Sequence, residues 1–309
     1  MNASGIKLQW VQRSCPLCGP GSPSHVLAES NIDLAKLDQF AFASRKLPEY
    51  MHPRLMECES CRIVYGDPVL SLDTIAAGYQ EAAFDSGNEA NYASLTYQRL
   101  IDRMKAHLPD RDSALDIGTG DGVFLERLLE SGFRRVRGIE PSAAPVAAAK
   151  SHIRELIQVG LFDPADYQPG SFTLITCFQV MEHVWDPLSL CRGALSLLKP
   201  GGALVAVVHN RQALSARVLG RKSPIFDIEH LQLFSARSGR RLLELAGFIG
   251  VDAKPIWNHY PLHYWMKLFP FPAAIKKPLL SFATGAPPFR IPLSLPAGNL
   301  VISGFRPVE

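Results

Sequence analysis

The sequence predicts an α/β protein built on a parallel sheet, with its ligand site at the carboxyl ends of the strands. Three observations point there. From about residue 95 to 255, short β-rich runs alternate with helical patterns. A glycine-rich loop, Gly118-Thr-Gly-Asp-Gly122, joins one such run to the helix after it. The composition, 47% hydrophobic and 20% charged, is that of an ordinary globular chain. Strands separated by single helices form βαβ units, whose parallel sheets bind ligands where the strands end.

The elements follow in order. Residues 113–117 are a short apolar run ahead of the glycine loop; Val123, Phe124, Leu125, Leu128 and Leu129 then recur at helical spacing until Gly132 supplies a C-cap. Further strands are expected at 136–140, 156–160, 172–177 and 203–208. Helices over 143–152 and 187–198 separate them, the second closed by Lys199-Pro200-Gly201-Gly202. A last helix over 236–246, N-capped by Ser235 and stopped by Gly247, precedes β-rich 248–256 and 299–305, which brings the strands to seven.

With 309 residues the chain can bury a sizeable core without disulfide staples. The net charge of +3, from 32 basic and 29 acidic side chains, disfavours dedicated nucleic-acid binding. Residues 1–16 have neither a basic n-region nor an apolar h-region, and no later run approaches the roughly 20 apolar residues of a membrane span. A cytoplasmic chain is expected.

The glycine loop alone suits a dinucleotide or a nucleoside cofactor equally. Asp116, two residues before the first glycine, tips the balance: a carboxylate there opposes a pyrophosphate and favours an ammonium-bearing, phosphate-free ligand. Glu140, at the end of the second strand, can accept two ribose hydroxyls.

The run Ala114-Leu-Asp-Ile-Gly-Thr-Gly-Asp-Gly-Val-Phe-Leu125 resembles motif I of the class I S-adenosylmethionine (SAM) dependent methyltransferases. Later segments match in order: Gly138-Ile-Glu-Pro-Ser142, Gly160-Leu-Phe-Asp163, Ser171-Phe-Thr-Leu-Ile175, Phe178-Gln-Val-Met-Glu-His-Val184, Leu197-Leu-Lys-Pro-Gly-Gly202 and Glu229-His-Leu-Gln-Leu-Phe-Ser235. Of these, Phe178–Val184 and Glu229–Ser235 are similar to the branch that includes ubiquinone-pathway methyltransferases. The resemblance implies a Rossmann-like seven-stranded sheet in the order 3-2-1-4-5-7-6 and SAM as cofactor. By position, Asp116 would hold the methionine end, Gly118, Gly120 and Gly122 would line it, and Glu140 would bind ribose. Leu161 and Phe162 would enclose adenine; Phe178 and Gln179 would face the sulfonium. Thr173 and Gln179 depart from the acids frequent in relatives.

Six cysteines include two C-x-x-C pairs, Cys15/Cys18 and Cys58/Cys61, 39 residues apart. Without an export signal this spacing reads first as a metal site and second as disulfides. Four thiolates fill a tetrahedral zinc shell and leave no open position, so the zinc expected is structural. The pattern resembles the N-terminal zinc-binding region ahead of some sugar and polysaccharide-pathway methyltransferases, with Arg62 standing where a glycine is usual. The expected division is a zinc module over 1–70 and a methyltransferase domain over 71–309, with a lid at about 211–234 and a Pro/aromatic-rich segment at about 255–298. Ten of the 24 prolines fall from Pro255 onward.

Methyl transfer needs alignment, and a base only for a protonated acceptor. His230, carried over the cleft by a mobile basic lid with Arg217, Arg221 and Lys222, is the first candidate; His183 is the second and His209 the third. The acceptor expected is a small-molecule or lipid-linked metabolite, methylated on oxygen. Peripheral membrane contact by the proline-rich tail stays open. An RNA base methyltransferase and a non-catalytic SAM-fold binding protein are the rival readings. Asp116 argues against a nicotinamide enzyme.

Overall fold

A computed structural model describes residues 8–33, 50–81, 89–220, 223–268, 278–280, 283, 289, 291–296 and 298–308. The N-terminal region holds strands β1 (Trp10–Val11), β2 (Ser24–Ala28), β3 (Leu55–Cys58), β4 (Val64–Gly66) and β5 (Val69–Leu70), then helix α1 (Leu72–Glu81). Helix α2 (Glu89–Met104) leads into the central unit: β6 (Ser113–Ile117), α3 (Val123–Glu130), β7 (Arg135–Glu140), α4 (Ala143–Ala148), α5 (Ser151–Arg154), β8 (Ile157–Val159), β9 (Phe172–Phe178), α6 (Pro187–Leu197) and β10 (Leu198–His209). There follow α7 (Leu214–Leu219), β11 (Gln232–Leu233), α8 (Ala236–Ala246), β12 (Ile249–Pro255), β13 (Asn258–Pro261), α9 (Leu262–Leu268), β14 (Pro292–Leu295) and β15 (Asn299–Phe305).

The main sheet runs β8-β7-β6-β9-β10-β15-β12. Numbered within the sheet this is 3-2-1-4-5-7-6, the order expected. β15 alone is antiparallel to its neighbours, β10 and β12. Successive residues of the central strands enter opposite cores, as a sheet covered on both faces requires. Leu115, Ile175, Leu204 and Ala206 pack toward α6 and α8, whereas Ala114, Leu174, Ala203 and Val205 pack toward α2 and α3. Ser235 caps α8 in a reciprocal box with Ser238, and Gly247 ends it at φ +100°.

Two local expectations change. The helix expected over 143–152 is two short helices, because Ala149 and Lys150 are extended; Arg154 Nη2 donates to the carbonyls of Ala147 (2.7 Å) and Ala149 (3.0 Å) that the break frees. The Lys199–Gly202 turn lies inside β10, where the register with β9 shifts between Leu198 and Ala203.

The N-terminal region is not a separate layer. Its sheet runs β2-β3-β4-β11, so its fourth strand comes from residues 232–233. Gln232 pairs with Tyr65 and Leu233 with Val64. Cys15, Leu17, Cys58, Cys61, Ile63 and Tyr65 share one buried core with α6 and α8. Among the described residues no helix is long and apolar enough to cross a membrane.

Candidate active site

The glycine loop links β6 to α3 beside the end of β7. A Cβ on Gly118 would lie 2.3 Å from Val180 Cγ2, so this loop and the exit from β9 approach too closely for any side chain. Gly120, at φ +60°, would project a Cβ into open space. Its N–H donates to Glu140 Oε2 at 2.9 Å, and Ser142 N–H to Glu140 Oε1 at 3.0 Å. Each carboxylate oxygen therefore keeps a lone pair. Burial raises the Glu140 pKa, and these two N–H groups oppose the rise. Asp116, only 3% exposed, accepts the Thr176 hydroxyl at 2.6 Å; burial lifts its pKa to about 7.

Gln179 has a left-handed backbone, φ +56°, fixed where its N–H donates to Val207 O at 2.7 Å. Its Nε2 is buried without a hydrogen-bond partner, next in sequence to the Val180 that covers Gly118. Two carboxyls, an unpartnered amide donor and a clear glycine face fit a ligand presenting hydroxyl and ammonium groups, as SAM does. Gly122 closes the loop at φ +72°.

The apolar candidates divide. Leu161 is 67% exposed after β8. Phe162 is half-buried, packed against Tyr167 and beside Gly193 of α6. Phe178 lies between Tyr97 (4.2 Å between centroids) and Phe124 (4.9 Å), tying the end of β9 to α2 and α3.

Beyond β9 and β10 three histidines converge. The His230 ring centroid is 4.8 Å from that of His183 and 5.1 Å from that of His209. His230 Nδ1 lies 2.8 Å from Ile225 O. A carbonyl only accepts, so Nδ1 carries a proton. Glu229 Oε2 is 3.7 Å from His183 Nδ1. One ligand atom from each of His183, Glu229 and His230 lies within 4.8 Å of the others, a spacing that a bound cation could bridge. Burial pushes the His209 pKa down to about 3, which disfavours it as a base. Glu182, which residue type alone did not single out, is fully buried. Its Oε1 accepts His209 N–H, and burial raises its pKa to about 7.

Ala216 and Ile225 are buried against Leu55, Val64 and Leu233. Arg217 is exposed, while Arg221 and Lys222 lie outside the described residues. In the proline-rich segment Tyr260 is buried against Tyr264 and Trp265, and Tyr264 meets Tyr92 of α2.

The Sγ atoms of Cys15, Cys18, Cys58 and Cys61 all lie within 4.8 Å of one another, with Cys15 and Cys61 at 3.6 Å. Tetrahedral zinc at about 2.3 Å from sulfur sets thiolates about 3.8 Å apart, so this donor set fits the ion. Each knuckle ends in a left-handed residue, Gly19 at φ +77° and Arg62 at φ +62°. The strain at Arg62 is offset by its 3.0 Å ion pair with the buried Glu57.

Residues 90–252 match the family described as Methyltransferase domain. A ubiquinone biosynthesis O-methyltransferase of Pseudomonas aeruginosa is 31% identical over 169 residues, 48% of this chain and 71% of that one. A protein of the same name from Xanthomonas campestris is 39% identical over 103 residues, 31% of this chain and 43% of that one. The crystal structure of a SAM-dependent methyltransferase from Archaeoglobus fulgidus superposes with a TM-score of 0.48 at 14% identity, covering 71% of this chain and 96% of that one.

The buried carboxyls set a pH dependence. Asp116 titrates near 7 when folded and near 4 when unfolded. The folded chain thus holds the extra proton between those values, and ligand-free stability falls as pH rises through that window. Glu182 adds to the trend. Urea titrations should find Asp116→Asn about 1–3 kcal/mol more stable than wild type at pH 8, an advantage that vanishes near pH 4. A constant difference at both pH values would contradict a buried, ionising Asp116.

Proposed function

Because this chain belongs to the class I SAM-dependent methyltransferases, we propose that it methylates a hydroxyl group of a small-molecule acceptor, with His230 as general base and His183 as its partner in proton handling. The observation that carries this reading is the convergence of His230, His183 and Glu229 beyond the ends of β9 and β10, with His230 Nδ1 held 2.8 Å from Ile225 O. Glu229, next to His183, would stabilise an imidazolium formed there. The relatives' name supports oxygen as the acceptor atom. A quinone-type or lipid-linked acceptor is the finer proposal.

When bound, the cofactor supplies a methyl carbon already activated by a sulfonium. Asp116 would receive its amino group, Glu140 its ribose hydroxyls, and Gly118, Gly120 and Gly122 its backbone-facing side. Leu161 would cover the adenine, while Phe178 and Gln179 would border the sulfonium. These residues bind, orient and exclude water, and the base removes the acceptor's proton. Cys15, Cys18, Cys58 and Cys61 would hold one structural zinc.

Glu140→Ala leaves two ribose hydroxyls unpaired, a loss of about 1.5–3 kcal/mol. Calorimetry should show S-adenosylhomocysteine binding weakened at least tenfold; unchanged affinity would remove Glu140 from the site. His230→Ala should lower kcat about 10²-fold on hydroxylated aromatic probe acceptors while the S-adenosylhomocysteine Kd holds. Full activity would move the base to His183. Elemental analysis of freshly purified protein should find one zinc per chain; under about half an equivalent, with four titratable thiols, would refute the zinc site.

A further inference from the structure

Arg13 stands two residues before Cys15, on the chain entering the first cysteine knuckle. Its guanidinium reaches far across the sequence. Nη1 donates to Leu231 O at 3.0 Å, Nη2 donates to Trp185 O, and the guanidinium carbon lies 5.3 Å from the centroid of the Trp185 ring. Its backbone N–H donates to Asp67 Oδ1 at 2.9 Å, which anchors the residue at the other end. Trp185 closes the loop that carries His183, and Leu231 directly follows His230. One planar fork therefore spans the two loops that bear the paired histidines.

The same two loops are joined by other bonds, and Arg13 completes the set. Leu231 N–H donates to Glu182 O at 2.8 Å, and Gln232 Nε2 donates to the carbonyls of Met181 and Val184. Leu231 O also accepts Gly66 N–H at 3.0 Å, so both of its lone pairs are used. We propose that Arg13 is a positioning residue: it holds the His183 and His230 loops in register, and it makes that register depend on the cysteine knuckle beside it. The inference rests on the reading of His183 and His230 as the proton-handling pair.

Docking of the N-terminal region has contacts that do not involve Arg13 or its two loops: the Arg211–Glu57 ion pair and the Arg237 Nη2 bond to Ser60 O (3.0 Å). Removing the fork should leave the module in place and loosen the register of the two loops. A lysine at this position keeps a charge but has neither the planar two-carbonyl geometry nor the stacking on Trp185.

The test compares wild-type, Arg13→Ala and Arg13→Lys full-length proteins. The histidine ring nitrogens are followed by NMR, with His183 and His230 assigned through His183→Gln and His230→Gln, and amide exchange is followed alongside. Expected in Arg13→Ala are shifted ring signals for both histidines, an altered His230 tautomer and about tenfold faster exchange at Leu231 and Gln232, as loss of a charged hydrogen bond predicts. Zinc content and S-adenosylhomocysteine affinity should match wild type, and added methylguanidinium should restore the histidine signals. Should Arg13→Ala not fold, Arg13→Lys is read in the same way. Unchanged histidine spectra would overturn the proposal, as would changes accompanied by lost zinc or lost S-adenosylhomocysteine affinity, which would assign Arg13 to general docking. The readout is the histidine environment and not turnover, so it stands apart from the outcome of His230→Ala.

Discussion

The candidate site hangs on the backbone around Leu231 and Gln232. Both N–H groups of this pair donate to Glu182 O, at 2.8 and 3.4 Å, while Leu231 O receives Gly66 N–H and Arg13. The next residues pair with β4, and Phe234 O accepts Arg211 N–H at 2.9 Å just beyond the end of β10. A buried amide left unpaired costs about 1–3 kcal/mol. These bonds hold the stretch in the arrangement that sets His230 beside His183 and His209. An appendage at the N-terminus becomes part of the frame of the site.

Buried charge is the second organising feature. Asp116 and Glu182 are carboxyls that burial lifts to about 7. In an ordinary core such groups destabilise, and the chain retains them where they do other work. Asp116 sits at the end of the first sheet strand beside a glycine loop whose open side can admit a cation. Glu182 binds the N–H of His209 and so ties the last residue of β10 to the loop leaving β9. Desolvation pushes the His209 pKa down, which keeps a second positive charge from facing His230.

The arginine at position 62 illustrates how strain is tolerated at a junction. Its left-handed backbone closes the second knuckle where Gly19 closes the first. Its side chain joins Arg211 on Glu57, a buried carboxylate of β3, and Arg211, in the chain after β10, also donates to Arg62 O at 3.1 Å. The side-chain ion pair is unavailable to glycine.

Most of the sheet was legible in the residues because local rules suffice there. Short apolar runs marked the central strands, Ser235 and Gly247 marked both ends of α8, and the glycine loop marked the first turn together with Asp116 and Glu140. What the sequence by itself determined was thus the strands of the sheet, the cofactor side of the cleft and the two cysteine pairs, while the strand order followed from the resemblance to the class I methyltransferases. Tertiary structure decided the rest. That residues 232–233 complete the N-terminal sheet depends on a pairing between segments about 170 residues apart, and two residues carry no periodicity to announce it. Phe162 looked equivalent to Leu161, and only the fold set its ring against Tyr167 and beside Gly193. The packing of Ala216 and Ile225 against Leu55 and Val64 likewise joins residues far apart in the sequence. Arg13 carried no motif at all, since its role consists of two carbonyls that meet only once both loops have folded around it.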